Sequence, residues 1–315
     1  MANNDCLIFS GSSHEALADG LAGELKKPLG NMRIETFPDG ETGIQILESV
    51  RGHDVFIVQS VARRPNHYLM ELLIIADALR RASARNIIAV LPYYGYARQD
   101  RKDKGRVPIT AKLVADLLQR AGVTRVLALD LHTEQIQGFF DIPVDHLYAR
   151  PLFVKALKKL KLANPIIVSP DVGSNKMARR FADDMNLDLA IVDKRRLDAK
   201  RIVDTAIIGD VKGKDVVLVD DICSTGETLK MAALTCKKAG AKRIVVAVTH
   251  GLLLEDVFQG SGIEVLLTTD SVPALEKKYS IPVQYISAAP LFAEAVTRIQ
   301  SSQSVTSMFE KKANV

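Results

Sequence analysis

In VVLVDDICSTGETL, residues 216–229, an apolar run ends in two carboxylates, Asp220 and Asp221, and a small-hydroxyl-glycine stretch then opens into a helical pattern near Glu227. Ser224, Thr225 and Thr228 supply hydroxyl donors, and Gly226 lets the backbone approach a ligand closely. Free N–H groups at a helix start favour an anion, so a phosphate is the natural guest of this loop. The acids would repel it unless they serve another group, such as sugar hydroxyls or a metal-bound water. A phosphosugar satisfies both halves of the motif. The plainer reading, a Ser224 or Thr225 helix cap beside two surface charges, accounts for each half but not for their joint occurrence. Because Asp220 and Asp221 are adjacent, both face a ligand only if the chain has begun to turn there.

Apolar runs with charged tips recur in VLALDLH (126–132), PIIVSPD (165–171) and LAIVDKRR (189–196). Ligands of open parallel sheets bind beyond the carboxyl ends of the strands, where such tips lie. Taken alone, His132 at a strand end reads as structural and KRR as a solvated basic end. Alternation would put Lys194 and Arg196 on one side of the strand and Arg195 on the other. No G-x-x-x-x-G-K-[ST] occurs, since Gly213-Lys214 is followed by Asp215, so any nucleotide is held without a Walker loop.

The elements that must carry these tips follow from the hydrophobic pattern. CLIF, DVFIVQS, a helix over MELLIIADALRRA, NIIAVLPY, a helix over ITAKLVADLLQRAG and VLALDLH alternate in an order that builds parallel sheets from βαβ units. DVFIVQS (54–60) and ARNIIAVLPY (84–93) resemble DVVLVDD (215–221) and AKRIVVAVTH (241–250), at offsets of 161 and 157 residues that a four-residue indel reconciles. VLALDLH and PIIVSPD add one more acid-tipped strand to each half. The expectation is an α/β chain of two tandem, similar domains, each a mainly parallel sheet flanked by helices. The boundary is placed in DHLYARP, giving domains 1–148 and 149–315, with the last helix a candidate to pack back on the first.

A chain of 315 residues with 47% hydrophobic and 25% charged residues can bury a sizeable core. The net charge of +5 is spread without a basic block, which suits small phosphorylated substrates better than nucleic acid. Trp is absent and aromatics make up 5%, so stacking platforms for single strands are scarce. Cys6, Cys223 and Cys236 form neither a disulfide framework nor a zinc site and point to a reducing compartment. With no basic leader and no long apolar run, a soluble cytoplasmic protein without a membrane partner is expected.

FPDGE (37–41), ALRRAS (78–83), YGYARQDR (94–101), RVPITAK (106–112), DLHTEQIQGFF (130–140), SPDVG (169–173), DKRR (193–196) and VVLVDDICSTGET (216–228) are similar, in this order, to the motifs of the ribose-phosphate diphosphokinase family. The resemblance covers nearly the whole chain. It implies type I phosphoribosyltransferase-like domains, the first on the ATP side and the second on the ribose 5-phosphate side. It also implies transfer of the β,γ-diphosphoryl group of ATP to the C1 hydroxyl of ribose 5-phosphate, with Mg²⁺ as cofactor. A homo-oligomer, usually a hexamer built from dimers, comes with it.

Carried position by position, the pattern assigns ATP binding to Phe37, Asp39, Gly40, Glu41, Arg98 and Gln99, and metal binding to His132 and Asp171. Taken alone, Pro38 to Gly40 would read as an ordinary turn. Lys194 and Arg196 are implied as the catalytic pair, followed by a mobile loop that closes over ATP. Ribose 5-phosphate falls to Arg196, Asp220, Asp221, Ser224, Thr225, Gly226, Glu227 and Thr228. The chain departs from the pattern in three places. Ser224 replaces a common Asp, Asp198 stands where a basic residue usually follows KRR, with Lys200 and Arg201 slightly later, and RKDKG (101–105) is one residue shorter. Cys223 reads as a small filler. Two other readings are a phosphoribosyltransferase that attaches a base and a non-catalytic synthetase-associated subunit. The first does not need the ATP-side domain; against the second, Lys194, Arg196, His132 and Asp171 are all present.

Overall fold

Apolar runs of five or six residues, too short for helices and buried on both faces, become the central strands of two parallel sheets. The computed structural model describes residues 6–198 and 201–310, excepting the side chains of 194–198 and 201–204. The chain divides into two compact units, one of Met1–Tyr148, Ser271–Pro273 and Ser287–Val315, the other of Ala149–Asp270 and Ala274–Ile286.

The first unit runs β1 (Cys6–Ser10), α1 (Glu15–Glu24), β2 (Met32–Thr36), β3 (Thr42–Ile46), β4 (Asp54–Val58), α2 (Pro65–Arg81), β5 (Asn86–Leu91), α3 (Thr110–Ala121), β6 (Arg125–Leu129) and β7 (Val144–Leu147). Its sheet has the order β1-β4-β5-β6-β7, with every pair parallel. Helix α2 buries Leu72, Ile75, Ala76 and Leu79 at helical spacing against Val55, Ile57 and Ala89 of the sheet. Each such Leu or Ile contributes roughly 1.5–3 kcal/mol. Helix α3 adds Ala111, Val114, Ala115 and Leu118 to the same core and stops at Gly122, which takes the left-handed conformation at φ 117°. Strands β2 and β3 form a separate antiparallel hairpin. The C-terminal helix, Ala289–Gln300, belongs to this unit and packs on α1.

The second unit runs α4 (Arg150–Lys159), β8 (Pro165–Ser169), α5 (Asn175–Met185), β9 (Leu189–Asp198), β10 (Arg201–Ile208), β11 (Asp215–Cys223), α6 (Glu227–Lys238), β12 (Arg243–Gly251), β13 (Val265–Thr269) and β14 (Val283–Ile286). Its sheet order is β10-β9-β8-β11-β12-β13-β14, parallel throughout except for β9 and β10.

The internal repeat is visible in the register. Asp54 of β4 lies opposite Asn86 of β5, and Asp215 of β11 lies opposite Arg243 of β12. Both acids start their strands beside an arginine, Asp54 with Arg85 at 2.8 Å and Asp215 with Arg243 at 3.7 Å. The extra strands expected in each half are not equivalent to one another. In VLALDLH the strand is β6, beyond β5, whereas in PIIVSPD it is β8, on the far side of β11, where β1 is its counterpart. After Arg196, β9 continues to Asp198 and pairs antiparallel with β10, whose register shifts opposite Arg195 and Arg196. The charges of DKRRLDAKRIVD hide this hairpin from a hydrophobicity pattern.

Candidate functional site

In the second unit, β11 delivers Asp220 and Asp221 to the carboxyl end of the sheet. Pairing does not stop at the acids: Asp220 lies opposite Val248, Ile222 opposite His250 and Cys223 opposite Gly251. The turn that would aim both carboxylates one way has therefore not begun, and their environments differ. Asp220 is 7% exposed and Asp221 half-buried. Burial, then the like charge of Asp221, hold the Asp220 carboxyl well above the usual carboxylate range; Ser174 opposes the shift and Asp171 adds to it.

The loop that follows is tied down by backbone bonds. Leu252 and Leu253 N–H donate to the Cys223 carbonyl and Leu254 N–H to that of Ser224, at 2.9, 3.2 and 2.9 Å. Gly226, at φ 98°, caps α6, and a Cβ there would lie 2.6 Å from the Phe258 ring. No side chain caps this helix among the described residues, so its first N–H groups face the loop of Ser224, Thr225 and Gly226. Glu227 and Thr228 are exposed in the first turn, and Cys223 is buried in the core as a filler.

The turn from β8 to α5 supplies the neighbouring wall. Ser169 Oγ donates to the Asp171 carbonyl at 2.6 Å, Ser174 N–H to Asp171 Oδ1 at 3.2 Å, and Ser174 Oγ to Asp220 Oδ1 at 2.6 Å. Asp171, Asp220 and Asp221 thus interact electrostatically at one sheet end, an arrangement that hydroxyl donors or a hard cation would relieve. Among the described residues no group of three or more His, Cys, Asp or Glu is arranged to hold a metal ion. The donors fit a divalent ion that keeps waters and takes substrate oxygens, not one enclosed by protein. Ser174 escaped sequence reading. Its signal is a Ser directly before a helical pattern, but it makes no cap bond and turns to Asp220 instead.

In the first unit, Phe37, Asp39, Gly40 and Glu41 form the tip of the β2–β3 hairpin, so the turn reading of PDG describes their geometry. Phe37 N–H donates to the Glu41 carbonyl, Gly40 N–H to the Phe37 carbonyl, and Glu41 N–H to Asp39 Oδ1, at 2.8, 2.8 and 3.1 Å. Gly40 has φ 92°, and the Phe37 side chain is 44% exposed. Arg98 and Gln99 are exposed before α3; the Gln99 carbonyl accepts from Ala111 N–H at 3.1 Å, and its side chain meets the Thr110 hydroxyl. His132 is exposed just beyond β6, after Asp130, a buried residue with φ 34°. The side chains of Lys194 and Arg196, and Lys200 as a whole, lie outside the described residues.

The strand end of β4 that corresponds to Asp220 and Asp221 carries Gln59 and Ser60, and it is closed. Gln59 Nε2 donates to Glu71 Oε1 at 2.7 Å, Ser12 N–H and Oγ donate to the same carboxylate at 2.8 and 2.6 Å, and Ser60 N–H donates to Ser13 Oγ at 2.7 Å. Helix α2 begins with Pro65, which has no N–H to offer. The second unit, by contrast, carries two acids at the end of β11 and an uncapped helix start at Gly226.

Two tandem, mainly parallel sheets flanked by helices, one bearing this acid-and-amide loop, define a two-domain α/β protein. Residues 6–122 match the family model of the N-terminal domain of ribose phosphate pyrophosphokinase, and residues 195–310 that of the phosphoribosyl synthetase-associated domain. The chain is 51% identical to a ribose-phosphate pyrophosphokinase of Wolinella succinogenes, over 96% of this chain and 98% of that protein. It is 46% identical to one of Thermosipho africanus, over 99% of both. A crystal structure of phosphoribosylpyrophosphate synthetase from Mycobacterium smegmatis superposes with a TM-score of 0.89 at 39% identity, over 95% of this chain and 99% of that one. The chain belongs to the ribose-phosphate pyrophosphokinase family. Among the described residues no helix is long and apolar enough to cross a membrane.

Proposed function

We propose that the chain transfers the β,γ-diphosphoryl group of ATP to the C1 hydroxyl of ribose 5-phosphate, giving 5-phosphoribosyl 1-pyrophosphate and AMP. The observation that carries this reading is the helix start at Gly226 standing beside the buried Asp220, in a chain aligned end to end with ribose-phosphate pyrophosphokinases. The amides and hydroxyls of Ser224 to Thr228 take the 5-phosphate, while Asp220 and Asp221 accept hydrogen bonds from ribose hydroxyls. Phe37, Asp39, Gly40, Glu41, Arg98 and Gln99 hold the nucleotide.

The C1 oxygen forms a bond to the β-phosphorus in line as the bond from that phosphorus to the α–β bridging oxygen breaks. AMP leaves with the electron pair, and the hydroxyl proton passes to water. Charge spreads over the β-phosphoryl oxygens, so the protein's work is positioning and the supply of cations. Lys194 offers a point charge and Arg196 a two-pronged fork to those oxygens. His132 and Asp171 would hold Mg²⁺, which when bound neutralises phosphate charge.

The reading is tested by incubating the purified chain with ATP, Mg²⁺ and ribose 5-phosphate and following the nucleotide product. AMP forms only when the sugar phosphate is present. Formation of ADP, or no turnover, contradicts the proposal.

A further inference from the structure

Asp171 and Asp220 come from different segments, the turn after β8 and the end of β11, yet one residue bonds to both. Ser174 gives its backbone N–H to Asp171 Oδ1 at 3.2 Å and its hydroxyl to Asp220 Oδ1 at 2.6 Å. The amide of Asp221 donates to that same Asp220 oxygen at 3.0 Å, so two donors fix the plane of the buried carboxylate. Serine heads α5, but its side chain makes no bond to the helix. The hydroxyl also lies 3.4 Å from Asp171 Oδ1, but its short bond goes to the acid of the neighbouring strand. We infer that Ser174 is a positioning residue, holding the Asp220 carboxylate in the orientation that receives ribose hydroxyls and fixing its spacing from Asp171.

This inference rests on the assignment of Asp220 to ribose 5-phosphate. A carboxylate held in place before the sugar arrives loses no orientational freedom on binding, and in metal sites removing an outer partner that orients a ligand typically costs about 10–100-fold, which sets the scale expected here. The test compares wild type, Ser174→Ala and Ser174→Thr by calorimetric titration with ribose 5-phosphate in Mg²⁺, with KM values for both substrates and the melting temperature. Ser174→Ala is expected to weaken sugar phosphate binding about tenfold and to raise its KM in parallel. The KM for ATP and the melting temperature stay unchanged, and Ser174→Thr, which keeps a hydroxyl, recovers most of the loss. If Ser174→Ala binds as wild type does, the inference is overturned while the proposed reaction stands. A fall in melting temperature with equal damage to both KM values also overturns it, by showing a structural role. If wild type itself neither binds ribose 5-phosphate nor makes AMP, the functional reading falls and takes the inference with it.

Discussion

Cys223 sits three positions beyond Asp220, at the last position of β11, and it is only 1% exposed. Burial pushes its thiol up to about 12, and does the same for Cys236, from an ordinary value near 9.0. Cys6 is buried as well. Burial keeps all three thiols from a reagent, and a thiol kept protonated is in addition a poor nucleophile, so a disulfide reagent at neutral pH should label none of the three in the folded protein and all three once it is unfolded. The sign of the pH effect follows from linkage. Between about 9 and 12 the folded chain binds protons that the unfolded chain has released, so this stabilisation is complete below 9 and is lost as pH rises toward 12. Burial holds up the Tyr94 phenol too, and it acts in the same direction. The melting temperature should therefore fall across that range, less steeply in Cys236→Ala. Rapid labelling of the folded protein, or an alkaline profile unchanged by the substitution, would contradict this.

The strand–loop–helix element of β11 and α6 depends on one backbone conformation. Gly226 has φ 98°, and any Cβ there would meet Phe258 at 2.6 Å. Gly226→Ala should cost on the order of 2 kcal/mol through strain and overpacking. On the proposed binding mode it should also raise the KM for ribose 5-phosphate more than that for ATP, because the amides it displaces are those assigned to the 5-phosphate. Steady-state kinetics with a thermal melt check both effects, and equal KM changes would speak against a phosphate cradle. This element was legible in advance because apolar run, acids, glycine and helix are contiguous in sequence. Helices α2 and α3 were legible for a similar reason, their apolar residues recurring at helical spacing. The β9–β10 hairpin was not, since charged residues fill its strands, and the Ser174–Asp220 bond was not, since 46 positions separate its partners. The resemblance assigned Lys194 and Arg196 together, but the register shift opposite Arg195 and Arg196 could not be read from alternation.

Across the whole molecule, the five-strand parallel order of the first sheet recurs within the seven strands of the second, with different chemistry at matching strand ends. Gln59 and Ser60 are bound up with Glu71 and Ser13 in the first unit, whereas Asp220 and Asp221 border an amide-lined loop in the second. The two units share apolar strand cores and differ at the strand tips, which is why the self-comparison found the strands. The net charge of +5 suits anionic substrates for either unit without choosing between them. The central claim concerns where the sugar phosphate lies, and a crystal structure of the full chain with ribose 5-phosphate and Mg²⁺ tests it most directly. The account predicts the 5-phosphate on the amides of Thr225, Gly226 and Glu227 with ribose hydroxyls at Asp220 and Asp221. A sugar phosphate bound away from that loop, for instance at the closed strand end of Gln59 and Ser60, would contradict it.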